Sequence, residues 1–157
     1  MTMRQIKFRA QDIASNKWLY GDLRHHKDDV CIFEQGGNKG EQVKRDTICQ
    51  FTGLIDMYGE EVYEGDIVIM EGEPENKRIV VYYEEAFNIA TEAEYENLQR
   101  GAHPYFNDYA HMNCLNTWSN TGLVRVIGNI HDDPGIFGSK ELIELMKKNN
   151  MLNPSTN

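Results

Sequence analysis

The chain has 157 residues, 40% of them hydrophobic and 26% charged, which are proportions of a folded chain rather than a disordered one. Its length suits one domain, or one domain with a small appendage, and supplies enough interior to fold without a metal or disulfide staple. A net charge of −9 argues against a non-specific DNA binder, whose affinity comes from Lys and Arg displacing phosphate counterions, and no apolar run approaches the roughly 20 residues of a membrane span.

The charge is uneven. Residues 1–50 carry nine Lys or Arg against seven Asp or Glu, whereas the remainder carries seven against eighteen. Three widely spaced cysteines, Cys31, Cys49 and Cys114, do not make a secreted disulfide framework, so a reducing cytoplasm is the expected compartment.

In chain order, Met3–Ala10 reads as a strand with Ile6, Phe8 and Ala10 on one face and Arg4, Lys7 and Arg9 on or near the other. Lys17–Leu23 returns as the second half of an antiparallel hairpin, and the run from His25 to Asp29 is expected as a solvated turn. Val30–Phe33 is a short strand, and the three glycines between Gln35 and Gly40 mark a loop. Thr47–Leu54 is the next strand region. Asp56–Gly59 and Glu64–Asp66 are turns on either side of a segment that leads into the apolar strand Ile67–Met70. Pro74 excludes the following segment from a strand interior. Arg78–Tyr83, rich in β-branched and aromatic residues, is the strongest β run, and Ala86–Ala90 is expected to pair with it.

Thr91 and Glu94 form a capping-box pattern that predicts a helix over Glu92–Arg100, stopped by Gly101. Residues 102–120 mix aromatic and small polar residues without a period and read as an excursion from the β unit. Leu123–Ile130 returns to strand, with Val124, Val126, Gly128 and Ile130 on one face and Gly128 suited to a close backbone approach. Ser139 is placed to cap a last helix, Lys140–Lys148, whose Leu142, Ile143, Leu145 and Met146 make an apolar stripe.

Residues with chemical potential do not assemble into a catalytic pattern. His111 and Cys114 lie close in sequence, but a structural zinc site takes four ligands, and His103, His131, Cys31 and Cys49 stand at no helpful spacing. There is no G-x-S-x-G motif, and Gly36–Gly40 lacks the Lys-Ser or Lys-Thr of a phosphate loop. Glu60-Glu61, Glu84-Glu85 and Asp132-Asp133 are read as solvated turns, since neighbouring acids on a strand face opposite ways. Neither a cofactor nor a metal is expected. Tyr105, Phe106 and Tyr109, with Trp118, form the candidate partner surface. Arg4, Lys7, Arg9 and Lys17 are the candidate nucleic-acid contacts.

Five segments taken in order resemble the YopX family: Ile6–Ala10, Trp18–Gly21, Gln50–Leu54, Glu61–Val68 and the closing Val126–Pro134. The resemblance implies a small SH3-like barrel preceded by an N-terminal β extension, in a protein encoded by a phage or prophage. It supplies no activity and no catalytic residue. It assigns fold-specifying roles: Tyr63, Ile67 and Val68 anchor the barrel entry, Gly65 and Asp66 turn the chain into it, and Phe51 and Ile130 fill its interior, with Gly128 beside them. Two departures stand out. Gln11 occupies a place where the family often has Trp, and the 91–120 excursion is longer than the family's link.

The resulting expectation is a mainly β chain with short peripheral helices, divided into a 1–46 extension, a 47–137 barrel with its 91–120 excursion, and a 138–157 helix and tail. Its expected role is a non-enzymatic module in the bacterial cytoplasm that binds a phage or host protein or assembles with itself. Nucleic-acid binding through the N-terminal basic face is the alternative, and no membrane association is expected.

Overall fold

Alternation of apolar and polar residues organises the first third of the chain into four strands: β1 (Phe8–Gln11), β2 (Trp18–His26), β3 (Asp29–Phe33) and β4 (Gly40–Gln42). The computed structural model describes residues 3–102, 113–115, 122–149 and 151. β5 (Cys49–Ile55) and β6 (Glu61–Tyr63) complete a six-stranded antiparallel sheet in the order β4-β3-β2-β1-β5-β6. β7 (Asp66–Met70), β8 (Arg78–Tyr83), β9 (Ala86–Ala90), β10 (Asn113–Cys114) and β11 (Val124–Asn129) form a second antiparallel sheet, ordered β10-β9-β8-β7-β11. The molecule is mainly β and carries the α-helices α1 (Glu92–Gln99) and α2 (Lys140–Lys148). Neither is long and apolar enough to cross a membrane.

Both sheets depend on β1 and β7. β1 lies between β2 and β5, so the first sheet runs unbroken across residue 46. β7 has four consecutive buried residues, Asp66–Ile69, because it is covered on both faces. One side holds Val62, Val68, Val80, Ile89, Leu115 and Val124. The other holds Ile67, Ile79, Ile130 and Tyr95, closed over by Phe137 and the α2 stripe Leu142, Ile143 and Met146. A separate cluster of Ala10, Val30, Ile32 and Val43 packs on one side of the N-terminal strands.

The two sheets are joined through the main chain at the β6–β7 turn. Gly65 donates to the Val80 carbonyl at 2.8 Å and accepts from the Ile130 amide at 2.9 Å. Its φ of +82° is open to glycine and costly for an L side chain. A second junction lies at the β5–β6 turn, where the Met57 amide donates to Val124 O and Asp56 Oδ2 accepts from the Val126 amide.

Several local expectations are met in detail. Thr91 and Glu94 form both bonds of the capping box, Ser139 Oγ accepts from the Leu142 amide, and Ile79–Tyr83 of the Arg78–Tyr83 run pairs with Ala86–Ala90. Others change. The β1 ladder starts at Phe8 rather than Met3. β2 runs through His25 and His26, paired with Val30 and Asp29, so the turn shrinks to Lys27-Asp28. The alternation expected from Val124 to Ile130 is interrupted by a bulge, since Val126 and Gly128 oppose consecutive residues of β7. A Cβ on Gly128 would lie 2.8 Å from Ile136 Cδ1, which makes the close approach expected there a side-chain contact.

Candidate functional site

Strand β1 points Phe8 and Ala10 into the N-terminal cluster and Arg9 to the opposite face. Arg9 stands opposite Tyr20 on β2 and Cys49 on β5, so its guanidinium projects toward the seam between the sheets. There Nη2 donates to Oδ1 of Asp66 at 2.5 Å, with side-chain exposures of only 9% and 1%. Asp66 Oδ2 accepts from the Tyr63 amide at 2.7 Å, so each carboxylate oxygen has a donor. The guanidinium carbon lies 4.7 Å from the ring centres of both Trp18 and Tyr63. A planar cation between two aromatic faces is a favourable electrostatic arrangement that the compact, strongly hydrated ammonium of lysine reproduces poorly.

Further bonds fix the two aromatic plates. Trp18 Nε1 donates to Asp132 Oδ2 at 2.7 Å, and Asp132 also accepts from Gln11 and Asn129. Tyr63 donates its phenol hydrogen to Glu61 Oε2 at 2.7 Å, while Lys7 pairs with the other oxygen of Glu61. Burial works to lower the Arg9 pKa, but the Asp66 carboxylate outweighs it and holds the group charged. Burial pushes the Asp66 carboxyl up, against the pull of Arg9 and the Tyr63 amide.

Beside this buried pair lies a cavity of about 210 Å³, lined by Cys49, Glu64, Gly65, Tyr95 and His131, with the exposed Asp46 and the apolar Leu98 and Met151 also on its wall. Burial pushes the Cys49 thiol up to about 12 despite the nearby Arg9. Burial and Arg9 together push His131 down to about 4, so its imidazole is neutral near pH 7. Glu64 is raised by burial, with the Gln50 amide pulling the other way, and the Tyr95 phenol is raised by burial and by Glu64. An ideal Cβ on Gly65 would lie 3.5 Å from Cys49 Sγ and 3.8 Å from His131 Nε2, so the bare glycine leaves room between thiol and imidazole.

The basic face expected at the N-terminus needs correction. Arg9 is buried and Lys7 is paired to Glu61 with its side chain 14% exposed, so neither is free for phosphate. Strand alternation sends them to the opposite face from Phe8, but that face is covered by Trp18, Phe51 and Tyr63. Arg4 and Lys17 remain exposed. Glu61 differs from the solvated-turn reading, since it lies in β6 and braces Tyr63, whereas Asp132 is an exposed turn residue that also holds Trp18. Tyr105, Phe106, Tyr109 and Trp118 lie outside the described residues, as does His111. Of the fold-specifying set, Phe51, Tyr63, Asp66, Ile67, Val68 and Ile130 are buried.

Sequence reasoning did not bring Glu64, Tyr95 and His131 together with Cys49. Glu64 and His131 each stand beside a residue singled out for the turn or the closing strand, and the bond between Gly65 and Ile130 makes those segments neighbours. Gln11 takes a polar route where the family often has Trp, reaching Asp132 at 2.9 Å.

Among solved structures, the chain is similar to the crystal structure of protein EF1440 from Enterococcus faecalis, at 20% identity and a TM-score of 0.47, over 85% of this chain and 99% of that one. No curated protein matches it. The profile of the YopX protein family matches residues 7–137, well over half of the sequence, and the chain belongs to that family.

Proposed function

We propose that this YopX family member is a phage or prophage accessory protein that works by binding another protein, without covalent chemistry. The observation that carries this reading is the cavity at the seam, a hollow walled by two carboxylates, two phenols and apolar side chains. Its dimensions favour a side chain of a partner over a large cofactor, since sites for drug-sized ligands span roughly 300–1,000 Å³.

The electrostatics of the cavity support binding over catalysis. A cysteine nucleophile acts as its thiolate, and an effective general base titrates near the working pH. Cys49 is shifted away from thiolate, and His131 has lost most of its basicity. The nucleic-acid alternative keeps Arg4 and Lys17 but loses Lys7 and Arg9 to internal ion pairs.

Affinity capture from lysogenic cells, with and without nuclease, tests the reading. The expected result is a protein that stays bound after nuclease treatment. Loss of all captured protein on nuclease treatment would overturn it in favour of nucleic acid.

A further inference from the structure

We propose that the seam cavity takes an organic cation on an apolar stem, and specifically the guanidinium of an arginine side chain presented by a partner. This deepens the protein-binding reading and rests on it.

The wall of the cavity has a consistent sign. Glu64 stands half-buried, Asp46 is exposed, and neither Lys nor Arg lines the cavity among the described residues. Arg9, a buried cation behind the wall, acts on Cys49 and His131 but is paired with Asp66 and does not line the cavity. A carboxylate partly withdrawn from water is poorly compensated by solvent, so a cation entering beside Glu64 meets a stronger field than it would at a surface carboxylate.

An independent observation concerns Tyr95. Its side chain is 5% exposed and lines the cavity, and its hydroxyl, which makes no hydrogen bond to another described residue, keeps access to the cavity space. A phenol this deep in a fold normally has a protein partner, and here the open space of the cavity takes that place. Here the ring is fixed edge-on to Phe137, 6.0 Å between centres, and the Glu64 carboxylate acts on the phenol electrostatically. A ligand carrying several N–H donors would give both the phenol oxygen and the Glu64 carboxylate a partner.

Size and chemistry select the guanidinium. The volume of about 210 Å³ far exceeds the roughly 10–15 Å³ needed for one water, yet is below the range of drug-sized pockets. Leu98, Ile130 and Met151 supply apolar surface for a methylene stem. A guanidinium is planar, weakly hydrated, able to lie against an aromatic ring and forked to meet a carboxylate, whereas an ammonium keeps a tighter water shell.

The test is an NMR titration of the full chain with N-acetyl-arginine amide, with N-acetyl-citrulline amide as the uncharged isostere. The expected result is saturable shifts centred on the amides of Glu64, Gly65 and His131 for the arginine compound, and none of comparable size for citrulline. Glu64→Gln should weaken binding at least about tenfold, and the exposed Asp46→Asn should weaken it less, because solvent screens that charge. The thermal midpoint of each variant reports whether the fold is kept, and Tyr95→Phe, which removes only the hydroxyl, provides a second cavity variant expected to weaken binding. Equal binding of citrulline, or arginine shifts scattered over surface carboxylates and unchanged by Glu64→Gln and Tyr95→Phe, would overturn the proposal. A nuclease-resistant protein partner whose capture survives both substitutions would also overturn it, while leaving the broader protein-binding reading intact.

Discussion

Arg9 and Asp66 form a buried ion pair at 2.5 Å that ties the central strand of the first sheet to the first residue of β7 in the second. The pair is held where water has little access, with Trp18 and Tyr63 against the guanidinium and the Tyr63 amide on the free carboxylate oxygen. Removing one partner of such a pair leaves a buried charge without compensation, at a cost of about 3–5 kcal/mol. Arg9→Met and Asp66→Asn should each lower stability on that scale in urea denaturation. Combined, they should cost clearly less than the sum of the two, because the second substitution removes a charge the first has already orphaned. Arg9→Lys should fall between wild type and Arg9→Met, since it keeps the charge but loses the planar stack. Additive single effects would show that the pair is not coupled.

Gly65 offers a way to separate backbone strain from crowding. Both Gly65 and Gly59 have φ near +82°, but a Cβ at Gly59 meets nothing within 4 Å, whereas one at Gly65 touches Cys49 and Ile130 at 3.5 Å. Alanine at either position should therefore cost a similar roughly 1–2 kcal/mol from the left-handed backbone alone. Gly65→Val should be much worse than Gly59→Val, because its extra methyls enter the space between Cys49 and His131. Thermal denaturation of the four variants checks this, and an unchanged midpoint for Gly65→Val would contradict the role assigned to the turn.

What could be read from the sequence was whatever is decided locally. The capping box at Thr91, the Ser139 cap and the β-branched run at 79–81 are each set by neighbours a few residues away. β4 and β6 leave little trace in the sequence because three-residue strands have almost no pattern of their own and exist through pairing with β3 and β5. The burial of Arg9 is hidden from the sequence for a related reason. Alternation tells which residues share a face, but only the tertiary fold brings Trp18 and Tyr63 over that face. The cavity was invisible because it requires the 64–66 turn, α1 and the end of β11 to converge. The bulge near Ile127 resets the phase of β11 just before Ile130 and His131, which simple alternation cannot anticipate.

His131 gives a pH dependence with a defined sign. Its folded pKa of about 4 lies below the 6.5 of a free imidazole, so the unfolded chain binds more protons between those values. Stability from this group is complete above about pH 6.5 and is lost as pH falls toward 4, by on the order of 3 kcal/mol at the lower end. Glu64 and Asp66, both raised by burial, act in the opposite sense, since the folded chain takes up their protons first on acidification. Arg9, Asp46 and Asp132 also act on the imidazole, so the informative quantity is a difference between variants. Wild type minus His131→Gln, measured by urea denaturation from pH 7 to pH 4.5, should shrink steadily toward acid. A constant difference would mean that the imidazole titrates normally in the folded state.

Cys49 provides the sharpest check on the non-catalytic reading. Alkylation proceeds through the thiolate, and at pH 8 a thiol shifted to about 12 presents on the order of 10⁻⁴ of its population in that form. Its 2% exposure slows attack further. Cys31, which is half-buried, should therefore react with iodoacetamide well before Cys49, and Cys49 should be modified at a rate set by opening of the fold. Peptide mass mapping over a time course distinguishes the two sites, and adding sub-denaturing urea should accelerate Cys49 selectively. Rapid modification of Cys49 in the native chain, faster than Cys31 and insensitive to urea, would identify an activated nucleophile. That result would turn the cavity from a receptor for a side chain into a reactive centre, with His131 as the neighbour that activates the thiol.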